Sequence, residues 1–412
     1  MQLSGSWKTG ATVEPVRKGR RMRRLWRFAV PLLLGILLCP GTALAASPHG
    51  SGHFTAAASM TTARGYFTAT ELLNGNVLVA GGYDGIFGPP PFFGDAEIYH
   101  WRTGIWSPVA SMNHPRAAAA AVRLPGGKVL VAAGIGFGPA GPSAGTAEIY
   151  NPATHTWADT GSLNIARFED MAAALLPGGR VLVAGGFVPG SGAPPFEPLA
   201  STEIWHPRTG QWALGNPMHE ARGEFASVTL KNGRILVMGG IDASGSALKS
   251  AEIYNPHTGH WSLIREMNSP RFDESAVVLH DGRVLVAGGG DATGQPTTSS
   301  EIYNPRKGTW KTTGPLHVPR SEAEYAIVLL PDGHVLLAGG YNTLGLSETH
   351  VDTAEVYNPR TGTWKEVATT MSSARSGHAA LLLRGNRGVL VMGGAMGPAT
   401  NTADIFRYRA GH

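Results

Sequence analysis

Residues 271–310 read RFDESAVVLHDGRVLVAGGGDATGQPTTSSEIYNPRKGTW, and this stretch decides the fold. An arginine opens it. An apolar run follows, broken by Asp281-Gly282, a pair that tolerates the positive backbone angles of a two-residue hairpin turn. The run Val284–Ala287 leads to Gly288-Gly289, where missing side chains let crowded backbones approach. After a polar loop come Glu301 and Tyr303, then a short Asn-Pro turn and Trp310. Short apolar runs punctuated by turn pairs at this spacing predict four antiparallel strands, a to d.

The unit recurs about every fifty residues. Its arginine returns as Arg64, Arg116, Arg167, Arg222, Arg271, Arg320 and Arg375. Its glycine pair returns six times, with Ala133-Gly134 the one departure, and its acid-aromatic pair runs from Glu97/Tyr99 to Asp404/Phe406. The tryptophan returns only as Trp106, Trp157, Trp212, Trp261, Trp310 and Trp364, so one outer strand is missing at the C-terminal end. Trp106 stands six residues before Met112 and ten before Arg116, as Phe54 does before Met60 and Arg64. Phe54 is therefore expected in the seventh tryptophan slot, with the N-terminal strand completing the last blade and leaving no open edge.

Glycine pair, spaced aromatic and tryptophan within a four-stranded unit resemble the kelch repeat over residues 54–406. The units resemble most those of secreted bacterial kelch proteins and of the propeller domain of galactose oxidase. That resemblance implies an all-β, seven-bladed kelch-type β-propeller with four-stranded antiparallel blades.

With 42% hydrophobic and 15% charged residues, the chain is too apolar for disorder, and 56 Gly with 29 Pro argue against an all-helical fold. The formal charge of +5 is concentrated in residues 1–45, where eight basic side chains precede the apolar stretch Phe28 to Cys39 and the small residues Ala43-Leu44-Ala45. This reads as a signal peptide, with Met22 as an alternative start. Export to the periplasm, cell envelope or outside is expected, with no stable membrane insertion after cleavage. Lipidation at Cys39, the only cysteine, is disfavoured by Leu38 before it. Without the leader, 26 of 34 basic residues face 28 of 29 acidic ones. The total charge then gives no electrostatic case for nucleic acid. Residues 46–53 read as a linker, 54–406 as the propeller and 407–412 as a tail, and a monomer is expected.

Internal repetition separates scaffold from site. What all seven units share reads as scaffold, so the repeated arginines and glutamates are expected to brace strands rather than catalyse. What one or two units own reads as function. Just after the arginines, unit seven carries His378, whereas units three to six carry Glu169, Asp170, Glu224, Asp273, Glu274, Glu322 and Glu324. These residues are expected around one mouth, where their repulsion falls on meeting hydroxyls, a cation or a basic partner. Proline-stiffened b–c loops of units one and three add Phe92, Phe93 and Phe196 as aromatic ligand contacts on the same face.

The preferred expectation is a noncatalytic module that binds a glycan or an extracellular protein through this face. The alternative is a metal-independent sugar isomerase, which some similar single-domain propellers are, using Glu169, Asp170, Glu274, Arg320 and His378. A purely structural spacer is the third class. Galactose oxidase activity would need copper, histidine and tyrosine ligands and a cysteine cross-linked to tyrosine. A mature chain without cysteine or flanking domains argues against it, and no cofactor or metal is expected.

Overall fold

A computed structural model describes residues 52–85, 92–138, 141–189, 197–343, 348–395 and 398–408. Seven four-stranded antiparallel sheets form a closed β-propeller. Blade one consists of strands a to d at Thr68–Glu71, Val77–Ala80, Ala96–His100 and Ile105–Val109. Blades two to six repeat this order. Blade seven takes strands a to c from Ala379–Leu382, Val389–Met392 and Ala403–Arg407, and its outer strand from His53–Ala57.

Phe54 lies opposite Phe406 in register, with ring centroids 5.1 Å apart. Trp106 stands likewise opposite Tyr99, and Trp364 opposite Tyr357, at the same 5.1 Å. The expected displaced strand is therefore in place. The leader assigned to residues 1–45 lies outside the described residues. Among those residues, no helix is long and apolar enough to cross a membrane.

Strand b is buried along its whole length in every blade, as its unbroken Val-Leu-Val-Ala pattern requires of a strand covered on both faces. Five outer strands bury their aromatic, as Thr363–Glu366 does with Trp364, whereas Trp106 and Trp157 are half-buried. Their indoles latch consecutive blades. Trp106 Nε1 donates to Ala58 O at 2.8 Å, and Trp310 Nε1 donates to Arg265 O at 2.7 Å.

The repeated ion pairs brace loops within each blade. Each opening arginine is at most 1% exposed and places one guanidinium nitrogen 2.9 to 3.3 Å from the carboxylate on strand c. Its other terminal nitrogen donates to the carbonyl at the first glycine-pair position, as Arg271 does to Gly288 O at 3.0 Å. The carboxylate in turn accepts backbone N–H groups from the loop entering strand a. Glu301 bonds Asn268 N and Ser269 N at 2.9 and 3.0 Å. Every charge so buried is paired and hydrogen-bonded, the condition for tolerating it in a low-dielectric interior.

Candidate functional site

The second residue after each opening arginine has positive φ in all seven blades: Tyr66, Ala118, Glu169, Glu224, Asp273, Glu322 and Gly377. Six of the seven carry a Cβ in this left-handed conformation, so the backbone geometry is imposed by the ring rather than chosen by glycine. The reason is visible in the hydrogen bonds around the axis. Tyr66 N donates to Gly377 O at 2.8 Å, Ala118 N to Tyr66 O at 2.8 Å, Glu169 N to Ala118 O at 3.1 Å, and Asp273 N to Glu224 O at 2.8 Å. A backbone hoop thus ties neighbouring blades at one end of the axis and places four acidic side chains there.

Two tyrosines close on this group. The ring of Tyr66 lies over Gly377, where an added Cβ would sit 2.6 Å from its Cε2, and its hydroxyl donates to Glu322 Oε2 at 2.8 Å. Ser376 Oγ donates to the same oxygen at 3.1 Å. From blade six, Tyr325 Oη donates across the axis to Asp170 Oδ1 of blade three at 2.8 Å. Both partners are extra residues. In five blades the strand-b alanine or methionine pairs with the fourth residue after the arginine, as Ala287 does with Ser275. Blade three needs one residue more, Ala172 with Ala184, and Asp170 is in the lengthened segment with φ +35. Blade six needs two more. They make room for the single turn Glu324–Ala326, and strand a is shortened to Ile327–Leu329.

Tyr66, Asp170 and Tyr325 line an axial cavity of about 180 Å³ whose wall includes Ala69, Ala121 and Ala380. Burial pushes the Glu169 carboxyl well above the ordinary carboxylate range, and the charges of Glu224, Asp170 and Glu322 add to this. Asp170 is pushed up to about 6, chiefly by burial, against the opposing hydrogen bond from Tyr325. The phenol of Tyr83, its ring tilted against that of Tyr66 with centroids 5.6 Å apart, is raised by burial and then by Glu322 and Glu169.

The remaining expected site residues lie elsewhere or fall outside description. Glu274 and His378, the third residues after their arginines, do not join the axial group. Each wedges against the first glycine of the preceding blade, Gly239 and Gly339, in the slot that Phe67 and Phe225 fill against Gly393 and Gly185. Burial there raises Glu274 to about 8 and lowers His378 to about 3. Among the described residues, Glu274 Oε2 has no hydrogen-bond partner. Arg320 is spent on Glu355, Gly339 O and Thr353, as its six counterparts are on theirs. Glu324 falls in the extra turn of blade six, and its side chain lies outside the described residues, as does Phe196. Phe92 and Phe93 are half-buried rather than displayed. Phe92 bridges Tyr83, and the Arg64 guanidinium stands 5.7 Å over the Phe93 ring.

Sequence reading missed Tyr66, Gly377 and Tyr325. The signal was present. Tyr66 and Gly377 occupy the same numbered slot as the acids, and the count from arginine to the leucine of the hairpin turn is longer only in blades three and six.

These features define a closed kelch-type propeller with a carboxylate and tyrosine group at one end of its axis. The chain belongs to the kelch-repeat family. The model described as the KLHDC2/KLHL20/DRC7 Kelch-repeats domain matches residues 170–394, and the Kelch motif matches residues 64–113. Among solved structures, it is similar to a fungal alcohol oxidase of the AA5 family in complex with copper. The identity is 18% and the TM-score 0.69, over 87% of this chain and 76% of that one. It is also similar to YjhT, at 15% identity and a TM-score of 0.55, over 75% of this chain and 98% of that one. No curated protein matches.

The donors at the axis match copper poorly. They are mainly carboxylates, with both tyrosine hydroxyls already bonded to two of them; the half-buried His350 imidazole lies within the field of Glu322, and His378 is wedged between blades. The one group of metal-ligand type among the described residues, His114 with Glu148 and Asp159, belongs to a scaffold pair, because Glu148 already bonds Arg116 and two backbone N–H groups.

Proposed function

We propose that the chain is a binding module whose axial mouth takes a hydroxyl-rich ligand, a glycan outside the cytoplasm. The observation that carries this reading is the Tyr325–Asp170 pair made by two blade-specific insertions beside the crowded Glu169. Carboxylates held close together in a poorly solvated site gain from hydroxyl donors, and sugar hydroxyls supply several at once. Tyrosine rings beside them offer apolar faces with a polar tip, which suits the mixed surface of a pyranose. The leader-like residues 1–45 support a location where such ligands are met.

Glycan-array binding followed by calorimetry tests this. Wild type binds a saccharide, and Asp170→Asn and Glu169→Gln each weaken it about tenfold or more, while circular dichroism shows both variants folded. Absence of any bound saccharide, or equal affinity in both variants, overturns the reading. Because Asp170 accepts best when ionised, affinity is expected to rise as pH increases through about 6, where that carboxyl loses its proton.

The same value favours a second reading. A carboxyl at about 6 takes up and releases a proton readily near neutral pH, as isomerisation of a sugar requires. Anomer exchange followed by NMR decides it: acceleration that disappears in Asp170→Asn supports an enzyme, and no acceleration on any bound sugar removes it.

A further inference from the structure

The two ends of the propeller differ in charge. In an up-and-down blade the a–b and c–d turns share the end opposite the acidic mouth. The c–d turns of blades one to six carry Arg102, Arg208, Arg306, Lys307 and Arg360 and no carboxylate. The a–b turns add basic residues in blades two to five and seven against Asp281 and Asp332. Both acids already face cations or imidazoles: Asp281 accepts from Arg283 Nε at 2.7 Å, and Asp332 lies 3.1 Å from His334 Nδ1. The near-neutral total beyond the leader therefore conceals an acidic end and a basic end.

On the basic end, two departures from the repeat touch. Blades two to six open their c–d turns with Asn-Pro or His-Pro, whereas blade one reads His100-Trp101-Arg102. The a–b turn of blade seven, Arg384-Gly385-Asn386-Arg387-Gly388, is one residue longer than the other six. Trp101 Nε1 donates to Asn74 O at 2.9 Å, which fixes the indole. The guanidiniums of Arg102 and Arg387 stand 5.1 and 5.3 Å from its ring centre. Arg387 donates to Arg102 O at 3.4 Å, and Arg384 to Leu73 O at 3.0 Å. All three arginines are exposed, and among the described residues they meet backbone carbonyls and the indole rather than carboxylates. Gathering three like charges costs free energy that an anion would offset, and each planar fork retains donors matched to an oxyanion.

We propose that this end binds an acidic polysaccharide, whose carboxylates are received by Arg102, Arg384 and Arg387 beside Trp101. A polymer fits better than a single small anion because cations recur blade by blade around the same end, through Arg360, Arg306 and Arg208. Single-stranded nucleic acid is the competing polyanion, and its recognition relies on open aromatic platforms. Trp101 is the one aromatic residue in these turns among the described residues, and two guanidiniums already cover it.

The test titrates the full chain with polygalacturonate, neutral dextran and a single-stranded oligonucleotide over a salt series, with circular dichroism and urea midpoints as folding controls. Polygalacturonate is expected to bind and dextran not. The triple variant Arg102→Ala, Arg384→Ala, Arg387→Ala lowers the slope of log affinity against log salt by about 2–3, one for each lost contact. Lys249→Ala, on the opposite end, keeps wild-type affinity. Should the triple variant lose structure, Arg102→Ala alone carries the test with a slope change of about 1. Failure to bind polygalacturonate at low salt, an unchanged slope in folded variants, or tighter binding of the oligonucleotide overturns the proposal.

Discussion

Gly377 shows how one residue acquires meaning from its position in a ring. Six other blades hold a side chain at the same positive φ, so conformation alone does not demand glycine there. The ring of Tyr66 demands it, because it occupies the space a Cβ would take on its way to Glu322. Gly377→Ala is therefore expected to destabilise by about 1–2 kcal/mol, the ordinary cost of a left-handed residue, plus the displacement of Tyr66. In a double-mutant cycle by urea unfolding, the displacement part should vanish when Tyr66 is also alanine; additive effects would deny the contact. Glu274 carries a second prediction. Its folded carboxyl titrates at about 8, above the unfolded value near 4.5, so the folded state binds the extra proton between these limits. Its contribution to stability is greatest below about 4.5 and declines as pH rises through 8, at up to about 1.4 kcal/mol per unit. Glu274→Gln removes the titrating group, so its stability relative to wild type should climb over that range; parallel pH profiles from urea unfolding would refute the assignment. Residue types at these positions were legible in the sequence. Their directions were not, since adjacent residues in a bent segment point to the axis and to the gap between blades.

Strands and turns were the most legible scale. Turn pairs, buried strand-b runs and the Phe54 spacing each report a local preference, and all of them agree with the observed register. The outer strand His53–Ala57 closes the ring through pairing with Ala403–Arg407, and Phe54 N also donates to Thr369 Oγ1 at 2.8 Å. Phe54→Ala should cost about 3–5 kcal/mol and lower the calorimetric midpoint, as removal of a buried aromatic does. A loss under about 1 kcal/mol would mean that closure does not depend on that ring. The insertions in blades three and six were countable but meaningless singly. Only their meeting across the axis, as Tyr325 on Asp170, gives them a role.

At the scale of the molecule, the sequence determined the number of blades, the strands within each, the closure by the N-terminal strand and the structural rank of the repeated Arg-Glu pairs. These follow from local turn chemistry, burial pattern and repetition, which a chain expresses along its length. Tertiary structure alone decided which acids share the axis, which are wedged between blades, and that Trp101 meets Arg387. It also decided that acidic and basic residues part to opposite ends. Those outcomes depend on distances between residues up to several hundred positions apart, set by closure of the ring, and no composition or net charge contains them.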